Sequence, residues 1–429
     1  MPEKLCSVTS LQTVTAVLGG LLMVGALASG LARRSLLSLA AVFVLAGFAL
    51  GPGGAGILGF QAQSPFVHDL AYCALVVILL RDGLEVEGEM LRRAWRLPLR
   101  KLALAMPITA GLVALSAHLL VGLSWSEALL LGALLAPTDP VLTSAIVTNE
   151  RVPALVRHSL NLESGLNDGL ALPAVLALLA ALTPAAKGHF VWWHFVTRDI
   201  GLGLASGLAC GGLASLLMPR GAAKLRRLTI AEHQRALYVL GVGLATYGVT
   251  VVSLRGNGLI AVFVAAIVLG VRRPDLRVDF ERGANELVEV LKLGIFVVFG
   301  SLLTLHGLLH DGWAAVGLIS LTFLAIRPVA VWASLTGTPT DAATRLFLGW
   351  FGPKGVATMT FSLIVLDAAI PGGSRIFDLA ALAVFSSVIL HGLTDTPGAR
   401  FIAGHAARAS EREHGQAAGP PHARVAARG

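Results

Sequence analysis

Charge is what this sequence has least of. Only 14% of its 429 residues are Asp, Glu, Lys or Arg, 55% are hydrophobic, and mean hydropathy is +0.77. A soluble globular chain of this length needs far more charge to cover its surface, so that class is excluded. Cysteine is scarce as well. Cys6, Cys73 and Cys210 are scattered with no C-x-x-C pair, which argues against a structural zinc site or a disulfide framework and leaves them as small apolar fillers. Runs of about ten alternating residues are absent, and with them the outer-membrane barrel pattern. The opening "MPEKLCSVTS" is weakly basic and leads into an apolar stretch too long for a cleavable signal, so the first helix is expected to stay. No G-x-S-x-G elbow frames Ser159 or Ser164, although His158 is near, so an intramembrane serine hydrolase is disfavoured and no enzyme activity is expected.

What the sequence has is apolar runs of about 20 residues from end to end, the mark of a polytopic all-α membrane protein. Thirteen spans are predicted, near 9–31, 35–50, 66–82, 100–121, 126–149, 154–182, 199–218, 235–254, 257–271, 286–305, 312–335, 344–367 and 376–396. Beyond about Arg400 the chain is rich in Ala, Arg, Gly and Pro and is expected to be disordered. Basic residues test the count. One set of loops, with the tail, holds 25 Lys and Arg and the other holds five, which makes the first set cytoplasmic, the N-terminus outside and the C-terminus inside. The net charge of +8 then reflects basic cytoplasmic loops rather than a nucleic-acid partner.

Three bases remain inside spans: Lys292, Arg327 and Lys354. Lys292 follows Glu286 and Glu289 near a helix end and is expected to snorkel or pair locally. The other two are harder to dismiss. "LLAPTDPVLTSAI" places Pro137 and Pro140 around Thr138 and Asp139, removing two backbone donors in mid-span. "LGWFGPKGVATM" surrounds Lys354 with Gly349, Gly352, Pro353 and Gly355. With span seven as a linker, these breaks fall in the fifth helix of each six-helix half. Paired interruptions at corresponding positions point to an inverted-repeat transporter with a midplane site. One break carries an acid and the other a base, suited to neutralising opposed half-helix ends.

"NLESGLNDGL" (161–170) lies in span six. Ser164 and Asp168 are four apart and share a helix face, Glu163 and Asn167 share a neighbouring one, and Glu163 and Asp168 diverge by about 140°. One face can offer hydroxyl and carboxylate oxygens to a cation while the other docks onto a buried base, for which Arg327 is the candidate. Counting Asp139, Glu163 and Asp168 against Arg327 and Lys354 leaves one negative charge, to be neutralised by a cation or a proton. Competition between the two is proton-coupled antiport, and one exchangeable charge implies 1:1 electroneutral exchange. Hard oxygen ligands suit an alkali ion, and too few are present for calcium.

These motifs resemble the monovalent cation:proton antiporters of the NhaP and NHE type. "PTDPV" and "ESGLNDG" carry the likeness, joined by "RDGLEVEGEMLRR", "IRP" at Ile326–Pro328 and "GWFGPKG", and it extends from "LGPGGAGIL" to "VILHGLTDTP". The resemblance implies an NhaA-like fold with inverted repeats and two discontinuous crossing helices. It implies a homodimer whose ion-transporting core (100–198 and 309–397) moves in an elevator-like way against a dimerisation domain (1–99 and 199–308), with a cytoplasmic tail at 398–429. It implies Asp168 as the principal ion and proton carboxylate, Asp139, Thr138 and Ser164 around it, and Glu163 paired with Arg327. Asn167 before Asp168 is the pattern of electroneutral members. Lys354 stands where the family more often has Arg, and Asn161 where a small residue is commoner. His391, near a helix end, is expected to be an interfacial cap.

The reading is therefore an exchanger of Na+ (or Li+) for H+ in a bacterial inner membrane, with no cofactor. K+/H+ exchange, anion symport on the same fold, and a cation channel or sensor are the alternatives.

Overall fold

The computed structural model describes residues 11–32, 39–86, 96–139, 146, 149–183, 192–218 and 232–417. All regular structure among them is helical. The order is α1 (Leu11–Ala32), α2 (Leu39–Leu50), α3 (Pro65–Leu84), α4 (residues 96–121), α5 (Trp125–Leu135), α6 (Ala154–Leu182), α7 (Trp192–Leu217) and α8 (residues 232–253). Then come α9 (Gly258–Arg272), α10 (Pro274–Ser301), α11 (Gly312–Ser334), α12 (Ala342–Trp350), α13 (Val356–Asp367) and α14 (Gly373–Ala417). Six of these helices are long and apolar enough to cross a membrane, and shorter apolar helices lie among them. Large apolar side chains point outward, among them Leu213, Leu216 and Leu217 on α7, as expected where lipid replaces water.

With lipid outside, close helix contact comes from small residues rather than from expelling water. Gly203, Gly207 and Gly211, one per turn of α7, lie against Ile260, Val264 and Ala265 of α9. Across the rest of the bundle α2 packs on α10, α3 on α9, α4 on α5, α5 on α6, and α13 on both α3 and α14.

Helix α10 begins at Pro274, well before the span expected at 286. Its first turns carry charge on one side, which a hydropathy window reads as loop. Leu276, Phe280, Ala284 and Val288, one per turn, are buried on the other.

The tail needs correction. Residues 398–417, expected to be disordered, continue α14 without interruption through Pro397. Ala, Arg and Glu favour helix there. Ala399 and Ile402 are buried in one cluster with Phe347 and Phe351, and His405 pairs with Asp341 at the start of α12. Residues 418–429 lie outside the described residues, as does most of the expected span after Asp139.

Candidate cation and proton site

Both expected helix breaks bear on one another. Helix α5 stops at Leu135, and residues 137–139 run without helical structure. Phe351–Gly355 likewise separates α12 from α13. The Asp139 amide donates to the Pro353 carbonyl (2.8 Å), and the Asp139 carboxylate accepts from the first amide of α13, Val356 (3.0 Å). In the other direction the Lys354 amine donates to the carbonyls of Pro137 (2.9 Å) and Ala136 (3.4 Å), just past the end of α5. An acid thus sits at the positive end of one half-helix and a base at the negative end of the other. Gly355 permits the approach, because a side chain there would collide with Asp139. Pro140 and Val141, on the far side of the first break, lie outside the described residues.

Helix α6 passes beside the first break. Asn167 donates through Nδ2 to both the carbonyl (2.8 Å) and the hydroxyl (2.9 Å) of Thr138. That fixes the amide orientation and ties α6 to the first break. Asp168 and Ser164, one turn earlier on the same face, are both buried. Asp168 Oδ1 and Asn167 Oδ1 are buried acceptors without a hydrogen-bond partner among the described residues. A buried acceptor left unmade is costly, and either a cation or a proton would satisfy the carboxylate.

On its neighbouring face, Glu163 binds two bases. Its Oε1 lies 3.1 Å from Arg327 Nη2, and its Oε2 pairs with Lys101 Nζ. Arg327 follows a wide π-type turn at residues 322–326 and precedes Pro328. Its guanidinium also reaches the Phe351 carbonyl (3.4 Å), and a side chain at Gly352 would collide with it. One buried salt-bridge cluster therefore braces α4, α6, α11 and the second break.

The match of residues 18–399 to the family described as "Sodium/hydrogen exchanger, transmembrane" decides the family. The chain belongs to the sodium/hydrogen exchangers. Within them its similarity is to proteins named NhaP. It is 28% identical over 389 residues to the K(+)/H(+) antiporter NhaP2 of Shewanella sp. (strain ANA-3), covering 90% of this chain and 66% of that protein. It is 29% identical over 338 residues to the Na(+)/H(+) antiporter 2 of Zygosaccharomyces rouxii, covering 67% of this chain and 40% of that one. The chain thus spans about 66% of the length of the NhaP2 relatives it matches. Its fold is that of the sodium proton antiporter MjNhaP1 from Methanocaldococcus jannaschii, with a TM-score of 0.76 at 19% identity over 92% of this chain and 99% of that one.

Several charges of this chain lie where the sequence did not place them. Lys101, which reads from the sequence as a loop residue beside Arg100, is 1% exposed. It opens a wide π-type turn at residues 101–105 that carries it inward, while Arg100 stays exposed and bonds the Thr336 carbonyl. Lys292, expected to snorkel or pair locally, is 3% exposed and feels the charges of Arg81, Asp139 and Asp82 as well as that of Glu289 one turn before it. Asp82 belongs to the "RDGLEVEGEMLRR" stretch, whose sequence assigns it no role. It is buried at the end of α3, with its carbonyl beside Gly165 of α6, and its charge acts on Asp168.

The charge count changes accordingly. Around the two breaks and α6, the buried acids Asp82, Asp139, Glu163 and Asp168 are matched by the buried bases Lys101, Lys292, Arg327 and Lys354, with Arg81 half-buried beside them; Asp395 and Arg273 are buried as well. The single surplus negative charge counted from the sequence is not there. An acid one residue beyond a long apolar run was the available signal for Asp82; Lys101 had none, since a base beside another base at a span edge reads as loop.

His391 is corrected too. It is interior to α14 and 1% exposed rather than interfacial. Its Nε2 lies 3.0 Å from the Trp350 carbonyl and its Nδ1 3.1 Å from Ser387 Oγ, which accepts from the Lys354 amide (2.7 Å). The Ser387 carbonyl also lies 2.9 Å from Nδ1, so a neutral imidazole can donate to the Trp350 carbonyl or to the Ser387 carbonyl but not to both; these contacts link α14 to both sides of the second break.

Proposed function

We propose that this chain is a secondary antiporter that exchanges Na+ (or Li+) for H+ across a bacterial inner membrane, one for one. Cation and proton compete for Asp168. The observation that carries this reading is the buried Oδ1 of Asp168, without a hydrogen-bond partner among the described residues, beside two helix breaks whose own charges are already engaged. Ser164, Thr138 and Asp139 are the further oxygen donors around the cation. Asn167 supports the stoichiometry: an amide holds no exchangeable proton, and its Nδ2 is committed to Thr138.

Alternating access supplies the transport step. Thirteen spans in two inverted halves, the N-terminus outside and the C-terminus cytoplasmic, put the breaks at mid-membrane. The core (100–198 and 309–397) moves against the scaffold (1–99 and 199–308) of a homodimer. Support comes from the fold it shares with MjNhaP1 and from the bonds joining both breaks to α6.

A second reading, K+/H+ exchange at the same carboxylate, is favoured by the names of the Shewanella relatives. One experiment separates the readings. Everted vesicles holding a proton gradient receive Na+, Li+ or K+ at pH values from about 6 to 9, the range in which exchange at physiological pH must operate. The proposal expects proton release on adding Na+ or Li+. Release by K+ alone establishes the second reading. Cation flux without a counter-ion would make the protein a channel and end both.

A further inference from the structure

Arg81 lies one residue before Asp82 on α3, and neighbours in a helix point about 100° apart, so they do not normally meet. Here they do. Arg81 Nε (3.0 Å) and Nη2 (2.7 Å) both donate to the same oxygen, Asp82 Oδ1, and Nε lies 3.5 Å from Glu85 Oε1. The pair is built into the interior, with side-chain exposures of 16% for Arg81 and 4% for Asp82. Its surroundings are the transport site. The Asp82 carbonyl abuts Gly165 of α6 between Ser164 and Asp168, and α13, which begins at the second break, packs along α3.

A free acid here would be a second buried carboxylate acting on Asp168. It would hold a cation more tightly or retain a proton of its own, and either outcome slows release and blurs one-for-one exchange. A guanidinium is the suitable counter-charge, because unlike an amine it does not lose its proton on burial. Lys292 of α10, also buried, lies in the same electrostatic neighbourhood.

Resting on the antiport reading above, we propose that Arg81 is a positioning residue that holds Asp82 as a neutral pair facing the site. The scaffold thereby presents no second free acid to Asp168, and the cation is bound weakly enough to leave. Neither residue is a cation ligand; together they set the affinity of one.

The test measures KM and kcat for the transported cation in proteoliposomes of the purified full chain at one alkaline pH. It compares wild type with Arg81→Gln, Asp82→Asn, Arg81→Lys and the double variant Arg81→Gln/Asp82→Asn. Arg81→Gln frees an acid and lowers KM several-fold, with kcat reduced by slower release. Asp82→Asn leaves Arg81 opposed only by the more exposed Glu85 and raises KM several-fold. The double variant removes both charges and brings KM back to within about twofold of wild type, as coupled neighbours require. Arg81→Lys keeps the charge and stays nearer wild type than Arg81→Gln. If the double variant keeps the high KM of Asp82→Asn, Asp82 is a ligand and the inference is wrong. It is equally wrong if Arg81→Gln folds and leaves KM unchanged. Should Arg81→Gln fail to fold, Asp82→Asn and the double variant still decide the matter. A wild type that exchanges no cation for protons overturns the antiport reading itself, whereas an active wild type with the wrong order of KM values overturns this inference alone.

Discussion

Asp139 and Lys354 each close the broken helix end that the other's segment exposes. The Asp139 carboxylate accepts from Val356 at the start of α13, and the Lys354 amine donates to Pro137 just beyond α5. The two breaks are therefore one mechanical unit, fastened at a third point by Asn167 on Thr138.

Cap chemistry makes the first prediction. Asp139→Asn retains an oxygen for the Val356 amide, and Asp139→Ala does not. Loss of an N-cap acceptor costs about 0.5–2 kcal/mol, so Asp139→Ala melts at a clearly lower temperature than Asp139→Asn in detergent. Equal melting of the two would mean that the cap contributes nothing.

Lys354 is fully buried, and its amine is held by two carbonyls. Lys354→Met fills similar space but leaves those carbonyls without a donor, at about 1–3 kcal/mol for a buried unsatisfied group. Its thermal stability and its transport both fall. A Lys354→Met protein that transports normally contradicts the role assigned to the amine.

The Glu163 cluster predicts redundancy. From the sequence alone, Arg327→Ala orphans Glu163. In the structure Lys101 remains on the other oxygen, so each single loss leaves one partner, and the double variant Lys101→Ala/Arg327→Ala strands a buried carboxylate at about 3–5 kcal/mol. Thermal melting across the double-mutant cycle should show a double loss larger than the sum of the singles. Simple additivity would show that the two bases act independently.

Outside the membrane, Asp341 caps α12 through the Thr344 amide (3.0 Å) and receives His405 from the end of α14. Partial burial pushes its carboxyl up, but the bonds from Thr344 and His405 outweigh this and hold it below its ordinary value. A depressed carboxylate contributes stability that is present above the unfolded pKa, about 3.9, and is lost as pH falls through the lower folded value. Both side chains are partly exposed, so the effect is small. Asp341→Ala should lower the melting temperature near neutral pH, and the difference from wild type should shrink on acidification in that window. A difference that grows toward acid pH would contradict the sign.

Much of this architecture was legible because it is written in local signals. Prolines on either side of Asp139 and glycines around Lys354 announce broken helices wherever they fall in an apolar run, and four-residue spacing puts Ser164 with Asp168. What stayed hidden depends on rotation and on neighbours distant in sequence. Lys101 turns inward only because a wide turn rotates it, Asp82 becomes part of the site only because α3 lies against α6 at Gly165, and residues 398–417 stay helical because Ile402 finds a buried place near Phe351. Composition is blind to all three. The charge count went wrong for the same reason, since burial is a tertiary property.

The central claim is that one carboxylate, Asp168, carries either one cation or one proton. Its most direct test is transport in proteoliposomes under a fixed pH gradient, with the membrane potential either clamped at zero or imposed in each direction. The account predicts cation-dependent proton movement whose rate is indifferent to the potential and which Asp168→Asn abolishes. A rate that follows the imposed potential, or an Asp168→Asn protein that still exchanges, would contradict it.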